Sequence, residues 1–67
     1  MLITDYALAW HPAEGPAYRI RLQGAEWSEW RKVSAADLAA LAAIFNESPV
    51  FLGPNGHIHT GPEPVGL

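Results

Sequence analysis

The chain has 67 residues, a formal net charge of −3 and no cysteine. A length like this sets one domain, and so small a domain buries only about 60% of its unfolded surface. Disulfides and thiolate metal sites are excluded, and the excess of acidic over basic residues weighs against binding dominated by phosphate contacts.

An apolar fraction of 49% is enough for a packed core and too high for disorder. Eleven of the apolar residues are alanine, so the core is thin. Small chains without disulfides often gain stability from a metal or a partner subunit. No apolar run approaches the ~18 residues of a membrane span. Met1-Leu2-Ile3-Thr4-Asp5 lacks the basic start of a secretory leader, so the expected compartment is the cytoplasm, with no membrane association. The Ala, Gly, Pro and Trp content points to a small bacterial protein from a GC-rich genome.

Leu2 to His11 reads as a strand. Leu2, Thr4, Tyr6, Leu8 and Trp10 share one face; Ile3, Asp5, Ala7, Ala9 and His11 share the other. The breaker-rich stretch from His11 to Pro16 is a loop. Ala17 to Gln23 alternates again, with Tyr18, Ile20 and Leu22 set against Arg19, Arg21 and Gln23. The two strands are expected to pair antiparallel. Trp10 then lies opposite Tyr18, Leu8 opposite Ile20 and Tyr6 opposite Leu22, which assembles an aromatic and aliphatic inner face. Gly24-Ala25 suits a type II′ turn with glycine at its first central position. A third strand over Glu26–Val33 sets Trp27 opposite Leu22, towards the core, and Trp30 opposite Arg19, on the outer face. A bulge near Ser28-Glu29 is the alternative, and turns both indoles inward.

Ser34-Ala35-Ala36-Asp37 is a helix start, with serine as the cap and an acid near the positive helix end. The helix is expected to reach Asn46 or Glu47. Leu38, Leu41, Ala42 and Phe45 form its buried stripe, with Ile44 beside it. Ala39, Ala40 and Ala43 occupy much of the rest, where an isolated monomer usually carries charge. This predicts cover by a loop, the C-terminal tail or another subunit. Pro49 stops the helix, and Val50-Phe51-Leu52 forms a short strand. Gly53-Pro54-Asn55-Gly56 turns the chain, and His57-Ile58-His59-Thr60 returns as a last strand. Residues 61–67, rich in glycine and proline, make an extended tail. The fold class is therefore α+β. Residues 1–60 form one domain in β-β-β-α-β-β order, an antiparallel sheet with one helix packed across one face.

The chain carries no nucleophile elbow around Ser28, Ser34 or Ser48, no phosphate-binding loop, and only scattered acids. Neither catalysis nor a cofactor is expected. His57 and His59, two apart on a strand, share a face and could meet a metal if His11 or Glu14 supplied a third ligand. A solvated hairpin with polar residues on its outer side is the better account of the pair, so no metal is expected there.

The outer face of strands two and three presents Arg19, Arg21, Trp30 and Lys32. Such a strip can stack a base and hold phosphates, form an intramolecular Arg–Trp contact, or anchor a protein interface. The acidic net charge favours the interface. The expected function is a small non-enzymatic protein-interaction module that forms a homodimer or binds another protein through this face. Single-stranded nucleic-acid binding through Trp30 with Arg19, Arg21 and Lys32 is the alternative. The last strand, or an edge of the meander, offers a further route to two-fold pairing.

Overall fold

Two long strands, β1 (Leu2–His11) and β2 (Gly15–Leu22), form a hairpin at the middle of the sheet. In the computed structural model, which describes residues 1–62, the shorter strands β3 (Arg31–Lys32), β4 (Val50–Leu52) and β5 (Ile58–Thr60) flank them. The order across the sheet is β3-β2-β1-β4-β5, with every neighbouring pair antiparallel. The helix α1 (Ala35–Phe45) follows β3 in sequence and packs across one face. This is the α+β class and the β-β-β-α-β-β order that alternation and the helix stripe require. The tail expected over 61–67 lies, beyond residue 62, outside the described residues.

The long hairpin turns more tightly than its breakers imply. His11 Nδ1 accepts hydrogen bonds from the backbone N–H groups of Ala13 (3.1 Å) and Glu14 (3.2 Å), and Gly15 closes the turn at φ 81°. The register is displaced from expectation: Leu8 faces Tyr18, Tyr6 faces Ile20 and Trp10 faces Pro16. A slip of this kind leaves every side chain on its own face, so alternation cannot distinguish the two registers.

A bulge at Thr4 does change faces. Asp5 pairs with Arg21, but Ile3 pairs with Leu22, so Ile3 rather than Leu2 enters the core. At the other end of β2, Gln23 and Gly24 are the central turn residues, not Gly24 and Ala25. The Ala25 N–H donates to Leu22 O (3.0 Å), and Gly24 takes the second central position at φ 75°, as a type II turn requires.

The core holds Ile3, Ile20, Phe45 and Val50, with Leu8, Tyr18, Leu41, Ile44 and Ile58 packed against it. Phe45 stacks on Tyr6, with ring centroids 4.5 Å apart and planes 9° from parallel. The helix starts as read: Ser34 Oγ accepts from the Asp37 N–H (3.0 Å). It ends at Phe45, slightly earlier than expected, in a tightened turn where the Glu47 N–H bonds to Ile44 O (3.0 Å). The turn at Gly53–Gly56 closes as read, with the Gly56 N–H donating to Gly53 O (3.0 Å).

Helix length decides what stays uncovered. The 11 residues of α1 span about 16 Å, whereas the 10 residues of β1 span about 33 Å. The helix is therefore too short to cover the whole of the long hairpin's inner face. Trp10, expected within the inner aromatic face, remains 69% exposed, and Tyr6 remains 46% exposed despite its stack on Phe45.

Candidate functional site

Of the third strand expected over Glu26–Val33, only Arg31 and Lys32 form ladder pairs, with Tyr18 and Ala17. Upstream, a single bridge joins Trp27 to Arg21. Ser28 explains the interruption. Its N–H donates to Ile20 O (2.8 Å), while its Oγ accepts from the Ile20 N–H (3.0 Å). A hydroxyl thus takes the place of the backbone carbonyl that a regular ladder would use. Between Ser28 and Arg31 the chain holds one residue more than β2 does, so Glu29 and Trp30 together stand opposite Arg19.

That extra residue reverses the alternation. Trp27, expected opposite Leu22 and towards the core, instead lies beside Arg21 on the outer face and is 38% exposed. The bulge anticipated near Ser28-Glu29 is present, but it turns both indoles outward rather than inward. The signal was the three-residue spacing of Trp27 and Trp30, which regular alternation cannot place on one face.

Arg19 sits between the two indoles. Its guanidinium carbon is 4.6 Å from the Trp27 ring centroid and 4.9 Å from that of Trp30; the Arg21 guanidinium is 5.7 Å from Trp27. Each such contact is worth about 0.5–1 kcal/mol at an exposed site. Arg19 Nε is buried with no hydrogen-bond partner among the described residues, so ring faces rather than acceptors hold this cation.

Arg21 reaches across to β1. Its Nε donates to Asp5 Oδ2 (2.8 Å), and a second guanidinium nitrogen meets the same oxygen. The Arg21 hydrogen bonds hold the Asp5 carboxyl below its ordinary value. Lys32 Nζ lies 3.4 Å from Glu14 Oε1. Ala7 and Ala9 on β1 lie opposite Arg19 and Ala17, so small residues floor the surface beside the indoles. A cleft of about 370 Å³ opens there, bordered by Ala9, Trp10, Ala17, Trp30 and Lys32.

The four residues singled out from sequence, Arg19, Arg21, Trp30 and Lys32, thus come together on one face, joined by Trp27. His57 and His59 also share a face, their rings 5.6 Å apart and edge to face, with His59 5.7 Å from Phe51. Their suggested third ligands are elsewhere: His11 is engaged by its own loop and Glu14 by Lys32. Among the described residues, no three His, Cys, Asp or Glu gather in one place. No helix among them is long and apolar enough to cross a membrane.

No family model matches the chain, and neither a curated protein nor a solved structure matches it.

Proposed function

We propose that this domain is a non-enzymatic protein-interaction module, working in the cytoplasm, that pairs with a second copy of itself through the outer face of β1–β3. The observation that carries this reading is the exposed pair Trp27 and Trp30, held in place by Arg19 on a face where Arg21 pairs with Asp5 and Lys32 with Glu14. Trp and Arg are the residue types most enriched at interface hot spots, and side chains ordered beforehand lose less entropy on docking.

Trp10 borders the same cleft as Trp30. At 38% and 47% exposure, Trp27 and Trp30 leave about 210 Å² of indole in water on the outer face, taking roughly 250 Å² for each side chain. A standard interface takes about 800 Å² from each partner, so these two indoles alone supply about a quarter. The nucleic-acid alternative draws less support. Phosphate binding needs uncommitted cations, whereas Arg21 faces Asp5, Lys32 faces Glu14 and Arg19 is stacked.

Size exclusion with light scattering across a concentration series tests the reading. The wild-type chain is expected to reach dimer mass, and Trp30→Ala to remain monomeric with an unchanged far-ultraviolet circular dichroism spectrum. A wild-type mass fixed at the monomer value overturns self-association. Oligonucleotide quenching of tryptophan fluorescence that fades steeply with salt would assign the face to nucleic acid instead.

A further inference from the structure

β3 carries two cations that point in opposite directions. Lys32 pairs with Ala17 on the outer face, whereas Arg31 pairs with Tyr18 and so lies on the inner, helix-side face. Arg31 forms no ion pair among the described residues. It borders a groove of about 370 Å³ lined by Tyr18, Ile20, Leu22 and Ser28 on one side and Leu52 on the other. The groove follows from the short helix, which leaves apolar inner surface uncovered, and from a sheet curled enough to bring Leu52 of β4 near Leu22 of β2. Its volume falls within the roughly 300–1,000 Å³ of small-molecule sites.

The polar content of the groove is sparse and directional. Ser28 Oγ is occupied by the Ile20 N–H and by Glu29 O. Arg31 stands at the Tyr18 end, and Glu26 at the Leu22 end, next to the Trp27–Arg21 bridge. The distance along β2 from Tyr18 to Leu22 is about 13 Å. The groove is thus an apolar channel with a guanidinium at one end that has no ion-pair partner among the described residues, and a carboxylate at the other.

We propose that this groove binds a small amphiphilic monocarboxylate of the medium-chain fatty-acid type. The carboxylate lies on Arg31, and the hydrocarbon runs along Ile20, Leu22 and Leu52. A guanidinium meets a carboxylate through two parallel N–H···O bonds, and hydrocarbon between two apolar walls gains from leaving water. Glu26 repels a second acidic head, so a dicarboxylate fits less well. The site lies on the face opposite the proposed interface and stands without it. An inward-pointing charge also deters edge strands from pairing with other chains, and that role needs no ligand.

Titration of the full chain, followed by amide shifts in nuclear magnetic resonance, separates the two roles. Octanoate is the probe, with octanol as the uncharged control. Octanoate is expected to saturate at or below about millimolar concentration and to shift Tyr18, Ile20, Leu22, Ser28 and Leu52. Octanol, which carries no charge for Arg31, is expected to bind at least about tenfold more weakly, and Arg31→Gln to weaken octanoate by a similar factor while leaving octanol within about twofold. Absence of saturable shifts in this groove overturns the proposal, as does an Arg31→Gln variant that binds octanoate like the wild type. If that variant fails to fold, the wild-type comparison decides: equal affinity for octanoate and octanol overturns the site.

Discussion

The Ser28 hydroxyl accepts the Ile20 N–H and so permits the bulge that carries Trp27 to the outer face. Ser28→Ala leaves that N–H, which is partly buried, without an acceptor, at a cost of about 1–3 kcal/mol. The urea midpoint is expected to fall accordingly, and an unchanged midpoint would mean that water replaces the hydroxyl without loss. Asp5 gives a pH-dependent counterpart. Arg21 lowers its carboxyl pKa below the ordinary 3.8, so as pH falls the unfolded chain takes up the proton first. The contribution of the pair is present above the unfolded value and is lost as pH falls through the folded one. Both side chains are exposed, so the effect is small. Asp5→Asn is expected to melt slightly below wild type at neutral pH, with the gap closing in acid. A gap that persists in strong acid would assign it to something other than the ion pair. At this scale the sequence shows which residues are chemically notable, but not which of them meet. The stacking of Arg19 between Trp27 and Trp30 depends on a bulge that has no sequence signature beyond the indole spacing.

Element boundaries follow local chemistry where the chemistry is local. The Ser34 cap and the turn at Gly53–Gly56 involve neighbours in sequence, and each lies where its residues predict, whereas the helix ends at Phe45, ahead of the expected Asn46 or Glu47. The third strand does not, because its length depends on how Ser28 meets Ile20 across the sheet. Packing between elements rests heavily on Phe45, which is 5% exposed and stacked on Tyr6. Phe45→Ala removes about 3–5 kcal/mol, whereas a chain of this length holds about 3–10 kcal/mol in total. The variant is expected to be largely unfolded at room temperature by circular dichroism, while Phe45→Leu stays folded. A cooperative native melt for Phe45→Ala would place the stabilising core elsewhere.

The whole molecule measures 36 × 27 × 20 Å, and its two sheet faces have different characters. The outer face is aromatic, floored by alanine and internally charge-paired. The inner face is apolar, partly covered by α1, and edged by Arg31. The proposed interface and the proposed ligand groove therefore occupy opposite sides, and a variant at Trp30 and one at Arg31 test them separately. Sequence alone determined the α+β class, the element order, the helix cap and the outward placement of Arg19, Arg21, Trp30 and Lys32. Those properties follow from periodicity and from contacts between near neighbours. Tertiary structure alone decided the β1–β2 register, the pairing of β1 with β4, the exposure of Trp27 and the inward aim of Arg31 beside an open groove. The physical reason is that alternation fixes only the parity of a strand. A two-residue slip preserves parity and a bulge reverses it, and long-range packing selects between them.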